Sequence, residues 1–99
     1  MAEENKYLIY DFWADWCGPC KVQKNEFKTN QDKLPIKVIF TDCDDPINQK
    51  LIEVYKIKSL PTLVLVDNNG NEIKRWIGLT KVNKINEYIQ KENLLDNNG

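Results

Sequence analysis

The sequence predicts an α/β protein: one mixed four-stranded sheet flanked by helices, in the order strand, helix, strand, helix, strand, strand, helix. Three observations point there. Apolar runs rich in β-branched and aromatic residues recur at 7–13, 36–41 and 62–66, with the length and continuity of buried strands. Between and after them, apolar residues recur at helical spacings of three and four. Asn68-Asn69-Gly70 marks a tight turn directly after the third run, so the fourth strand returns as a hairpin. A parallel crossover followed by a hairpin makes the sheet mixed.

Each element has its own justification. The run 7–13 is almost wholly apolar or aromatic and carries one acid, Asp11. After Cys20 a helix is favoured to about Asn30, with Val22 and Phe27 marking its apolar face. Asp44, Asp45 and Pro46 open a second helix, whose apolar face is Ile47, Leu51, Val54 and Tyr55. Residues 71–77 form the returning strand, and Gly70 suits positive φ in the turn before it. Thr80 is the expected cap of a last helix with Val82, Ile85, Tyr88 and Ile89 on its apolar face. The expected unit is one domain over 1–99, with a core at about 7–93 and frayed ends at 1–6 and 94–99.

The chain has 99 residues, 41% apolar and 29% charged, ordinary values for a globular protein in water. Its 14 basic and 15 acidic side chains leave a net charge of −1. That balance speaks against nucleic acid or an anionic membrane held by bulk electrostatics. No apolar run approaches the roughly 18 residues of a membrane helix. The opening Met1-Ala2-Glu3-Glu4-Asn5 is acidic and polar, unlike a secretory signal, so the expected location is the cytoplasm.

Three cysteines, an odd number, exclude a fully paired disulfide framework within one chain. There is no histidine, so neither a Cys/His metal site nor a Cys–His nucleophile pair can form. A structural zinc takes four ligands, which one short pair and the distant Cys43 do not complete. Cys17-Gly18-Pro19-Cys20 lies at a strand-to-helix junction, where free backbone N–H groups and the helix dipole favour a thiolate. Such a thiolate at Cys17 attacks a disulfide, and Cys20, one turn on, can then attack Cys17 and release the product. Pro19 suits the first helical turn, where a missing N–H costs little. By itself a Cys-x-x-Cys leaves redox and metal chemistry both open. Asp11 by itself reads as a buried acid with a raised pKa or as a partly exposed edge acid. Trp13 reads as core or as part of a docking surface.

The surrounding residues carry a resemblance that bears on these choices. Asp11-Phe12-Trp13-Ala14-Asp15-Trp16-Cys17-Gly18-Pro19-Cys20-Lys21 resembles the active-site segment of the thioredoxin family. Ser59-Leu60-Pro61-Thr62 looks like its cis-proline loop, and Ile77-Gly78 like the glycine of its substrate-docking surface. The segments follow family order, and the likeness covers residues 7–93. It implies a thioredoxin-like fold and a thiol–disulfide oxidoreductase that reduces protein disulfides. Cys17 would be the nucleophile, Cys20 the resolving thiol, and Cys17–Cys20 the redox-active disulfide. Asp11 would accept and donate a proton for Cys20 through water. Trp16, Gly18, Pro19, Leu60, Pro61 and Gly78 would shape the docking surface, with a cis bond between Leu60 and Pro61. Without the resemblance that bond reads as trans, since only about 5–6% of X–Pro bonds in folded proteins are cis. The implied partners are disulfide-bearing proteins and an NADPH-linked thioredoxin reductase or another electron donor. No bound cofactor and no metal are implied.

The chain departs from the family pattern in four places. Sixteen residues precede Cys17, so by this alignment the family's initial strand and helix are missing and one sheet edge is uncovered. The expected state is a monomer, with a dimer through that edge as the alternative. Phe40 stands where the family often has a lysine facing the buried acid, which predicts a higher Asp11 pKa than in a lysine-bearing relative. Asn25 replaces a kink-forming proline, which implies a straighter or shorter helix. Cys43, among Asp42, Asp44 and Asp45, reads as a half-buried filler whose thiolate those acids disfavour.

Overall fold

The most apolar runs take the inner places of the sheet. In the computed structural model, which describes residues 6–95, four strands lie in the order β2-β1-β3-β4. They are β1 (Tyr7–Trp13), β2 (Lys37–Asp42), β3 (Thr62–Asp67) and β4 (Glu72–Ile77). β1 pairs in parallel with β2, joined by a crossover through α1 (Gly18–Thr29). It pairs antiparallel with β3, and β4 completes the hairpin beyond. The mixed α/β sheet expected from the pattern is therefore the one observed.

Alternation along the strands sorts side chains onto two faces. Ile9, Leu63, Leu65 and Trp76 meet Phe27 of α1 and Val82, Ile85 and Ile89 of α3 (Val82–Lys91). Phe12, Val64 and Val66 form a second core with Tyr55, against which Leu51 and Ile52 of α2 (Gln49–Val54) pack. The same alternation puts Asp11 and Trp13 on the face of Ile9, the face that α1 covers.

Several expectations need correction. Val22 is exposed, and the buried face of α1 is Cys20, Gln23 and Phe27. Ile47 and Val54 are exposed as well, so α2 packs through Leu51, Ile52 and Tyr55 instead. A single helical period does not run through that segment. A 3-10 helix, Pro46–Asn48, capped by Asp45 Oδ1 on the Ile47 N–H, precedes only six residues of α-helix. Thr80 does not cap α3: its hydroxyl donates to the Gly78 carbonyl at 2.9 Å, and Lys81 holds the N-cap position. Glu26 of α1 does the capping from outside, its Oε2 accepting the Val82 N–H at 2.8 Å. Of the ends read as frayed, 1–5 and 96–99 lie outside the described residues. Leu94, in the range read as frayed, lies within the described residues. Asn93 turns left-handed (φ +54), and the Leu94 N–H returns to the Ile89 carbonyl at 3.1 Å while Leu94 packs on the core. Asn25 sits inside an unbroken α1 of twelve residues. Among the described residues no helix is long and apolar enough to cross a membrane.

Candidate active site

Cys17 closes the turn that follows β1. Its N–H donates to the Ala14 carbonyl at 3.1 Å, and its extended backbone (φ −99°, ψ 105°) makes it the N-cap of α1. Its Sγ accepts the Cys20 N–H at 3.2 Å, the bond a capping oxygen would make. Cys17 and Cys20 are joined as a disulfide, their Cα atoms 5.3 Å apart. A sulfur at this position faces unpaired amides and the positive end of the helix dipole, which favours its thiolate once the bond is reduced. Pro19 sits in the first turn, and nothing lies within 4 Å of where a Gly18 Cβ would stand. The approach beside Gly18 is open.

Sheet register brings the proline loop to the same end. Phe12 pairs with Thr62, so Pro61 stands level with the end of β1, where the chain turns toward Cys17. The Leu60–Pro61 bond is cis. The Pro61 carbonyl accepts the Gly78 N–H at 2.9 Å, and the Thr62 hydroxyl donates to the Ser59 carbonyl at 2.6 Å. Gly78 has φ +93°, where any side chain would be strained. Pro61 is buried, and Leu60 is half-buried against the second core. Trp16 is 71% exposed, its Nε1 donating to Asp44 Oδ2 at 3.1 Å. Ile77 and Leu79, on either side of Gly78, are exposed too.

Asp11 is fully buried, and among the described residues neither of its oxygens has a hydrogen-bond partner. Burial pushes its carboxyl from the ordinary 3.8 up to about 7, while the Lys24 ammonium pulls the other way. The edge-acid alternative is thereby removed. Register sets Phe40 of β2 and Leu63 of β3 on either side of it, so the neighbour on β2 is an aromatic ring rather than a cation. The half-buried Trp13 has an indole Nε1 that also lacks a partner among the described residues. Its ring lies under the Lys24 Nζ, 4.4 Å from the centroid. Cys43 is a half-buried free thiol; burial, then Asp42 and Asp44, pushes its pKa up.

Sequence reasoning missed three residues of α1. Gln23 is fully buried and clamps the loop after Gly78: its Nε2 donates to the Thr80 carbonyl at 2.8 Å, and its Oε1 accepts the Thr80 N–H at 2.7 Å. Glu26 caps α3, and Lys24 faces Asp11 and Trp13. The available signal was spacing. Gln23 is four residues before Phe27 and Lys24 four after Cys20, which puts each pair on one helical row.

Comparison with known proteins agrees with this geometry. The thioredoxin family model matches residues 1–91. Thioredoxin of Mycoplasma pneumoniae is 38% identical over 91 residues, covering 92% of this chain and 86% of its own length. Thioredoxin of Rickettsia prowazekii is 37% identical over 95 residues, with the same two shares. The solved structure of a mutant thioredoxin from Halobacterium salinarum NRC-1 has a TM-score of 0.75 at 31% identity, over 88% of this chain and 74% of that one. The chain spans less of some other relatives: 64% and 57% of two thioredoxins, and 19% of a protein disulfide-isomerase of Ricinus communis. With the family model matched over residues 1–91 of the chain and the two cysteines paired, the chain belongs to the thioredoxin family.

Proposed function

We propose that the chain is a thiol–disulfide oxidoreductase that works as a reductase of protein disulfides. The carrying observation is the Cys17 sulfur at the N-cap of α1, 3.2 Å from the Cys20 amide and bonded to the Cys20 sulfur. In the reduced protein the Cys17 thiolate attacks one sulfur of a substrate disulfide. A Cys17–substrate bond forms, the substrate's S–S bond breaks, and its other sulfur leaves and takes up a proton. Cys20 then gives its proton to the Asp11 carboxylate, through water, and attacks Cys17. The Cys17–Cys20 disulfide forms and the remaining substrate sulfur leaves as a thiolate. The substrate gains two electrons and the protein loses two. In this reading an NADPH-linked thioredoxin reductase of the cytoplasm returns them. Trp16, Gly18, Pro19, Leu60, Pro61 and Gly78 form the rim that receives the substrate chain, and the protein works as a monomer.

Insulin reduction, driven first by dithiothreitol and then by NADPH with a thioredoxin reductase, tests this. The wild type should accelerate both, Cys17→Ser neither, and Cys20→Ser should accumulate a mixed disulfide visible by mass. A wild type no faster than dithiothreitol alone would refute the reading. Activity with dithiothreitol only would point to a different electron source. Light scattering checks the monomer, and twice the chain mass would indicate a dimer instead.

A further inference from the structure

Asp11 must be a carboxylate to take a proton from Cys20, yet it is fully buried, with no hydrogen-bond donor to its oxygens among the described residues. The charged form of such a group needs a nearby positive charge. The two flanking strands offer none, because the registered neighbours are Phe40 and Leu63. From the segment after β2 comes the Cys43 thiol, which the Asp11 charge pushes further toward its neutral form. From α1 come Cys20, tied in the disulfide, and Lys24.

The Lys24 ammonium does not simply extend into water. Its Nζ lies 4.4 Å from the Trp13 ring centroid and 5.4 Å from that of Phe40. These two rings border Asp11 on its own sheet face: Trp13 is two residues along β1, and Phe40 is the registered partner on β2. An ammonium over an aromatic face gains about 0.5–1 kcal/mol at exposed sites and more when desolvated. Two such rings define a seat for the charge. The same Phe40 that removes a cation from β2 helps to hold one presented by α1.

We propose that Lys24 is a positioning residue for the disulfide exchange: its ammonium, seated on the Trp13 and Phe40 rings, supplies the positive field that makes the carboxylate of buried Asp11 accessible and so keeps an acceptor for the Cys20 proton. This role presupposes the part given to Asp11 in the proposed exchange. The electrostatics run in the required direction, since Lys24 opposes the rise that burial imposes on Asp11. The seat also explains why the lysine sits four residues after Cys20: one helical turn places it on the row that faces the acid.

Lys24→Met keeps the apolar stem and removes the charge, whereas Lys24→Arg keeps the charge and the ring contacts. The direct measurement is the Asp11 side-chain carboxyl titration, followed by carbon-detected NMR in the oxidised full chain. Lys24→Met should raise the midpoint by about one pH unit, the low end of what a nearby opposite charge does. Lys24→Arg should restore it. An unchanged midpoint in Lys24→Met would overturn the proposal, and so would a rise that Lys24→Arg fails to reverse. The functional counterpart is the pH profile of insulin reduction. Its acidic limb should move to higher pH in Lys24→Met by the same amount, and this movement should vanish in an Asp11→Asn background. A movement that persists there would place the effect on the thiols themselves and overturn the role through Asp11. Should the wild type reduce no disulfide at all, the proposed function falls, while the carboxyl titration still decides the Lys24–Asp11 coupling.

Discussion

The two ends of the sheet treat polar groups in opposite ways. At the β3–β4 hairpin the turn and the strand beyond it are cross-linked by polar contacts. Asp67 Oδ1 accepts the N–H groups of Asn69 and Asn71, both at 2.9 Å, and the Gly70 carbonyl accepts the Tyr55 hydroxyl at 2.6 Å. Arg75 grips Glu72 with two nitrogens and donates to the Tyr55 carbonyl. At the cysteine end a buried carboxyl and a buried indole N–H stand unpaired among the described residues, while Trp16, Ile77 and Leu79 are exposed. The hairpin is arranged for stability. In the proposed exchange, the cysteine end leaves unpaired the Asp11 carboxyl that would change protonation state, and leaves exposed the side chains that would meet a substrate.

The largest test of that contrast is Asp11→Asn. A buried carboxyl at about 7 binds its proton more tightly folded than unfolded, where it titrates near 3.8. Between those values the folded state holds a proton that the unfolded state has lost. Stability therefore falls as pH rises from about 4 to about 7, and the loss is complete above that window. At about 1.4 kcal/mol per pH unit the full penalty is roughly 4 kcal/mol. Asp11→Asn should thus be more stable than the wild type at pH 8 by up to that amount and indistinguishable near pH 3, as urea unfolding at both pH values would reveal. Its disulfide reduction should be slower than the wild type's above the Asp11 midpoint, and the difference should shrink below it. Equal stability at pH 8 would mean that Asp11 is not held in a costly state, and the contrast between the two ends would collapse.

Gln23→Leu should act in the opposite direction at the same end. The glutamine sits deep in the interior and supplies both partners of the Thr80 backbone. Replacing it leaves a buried N–H and a buried carbonyl unpaired, at a cost of about 2–4 kcal/mol. Thermal unfolding should show this as a clear drop in melting temperature. The cysteine end then separates into scaffold contacts that stabilise and working groups that do not.

How far this was legible in the sequence depends on the kind of signal. The strands were readable because burial on both faces selects β-branched and aromatic residues, as Val64 and Val66 illustrate. The cysteine pair, the burial of Asp11 and the cis bond before Pro61 were readable because they are tied to a local order of residues. Gln23, Lys24 and Glu26 were not. Periodicity assigns polar residues to the solvent face, and nothing local records that Gln23 pairs with a backbone 57 positions away. Thr80 had the residue type and position of a cap, but Glu26 reached the free N–H first from another helix. Ile47 and Val54 misled because apolar spacing cannot show where a 3-10 turn interrupts a short helix.

At the hairpin, Gly70→Ala is a milder perturbation. Gly70 has φ +82°, and a Cβ there would lie 3.5 Å from the Tyr55 hydroxyl, an ordinary contact. The cost is therefore conformational, about 1–2 kcal/mol for a left-handed non-glycine residue. Disulfide reduction per folded molecule should not change, because the turn lies at the opposite end of β3 from Pro61. A drop in activity without a drop in stability would join two ends that the fold keeps apart.

Trp16→Ala should have the smallest effect on folding and is the most telling about the cysteine end. The indole is largely exposed and makes one hydrogen bond, to Asp44. Surface substitutions of this kind usually shift stability by less than about 0.5 kcal/mol. An exposed tryptophan beside a reactive pair has a different use, since aromatic side chains carry a large share of binding energy where a partner docks. The expected outcome is an unchanged melting temperature with a raised KM for a protein disulfide and little change toward a small disulfide that needs no docking surface. A variant that loses stability instead would make Trp16 part of the scaffold, and the exposed side chains at this end would then owe their positions to folding rather than to a substrate.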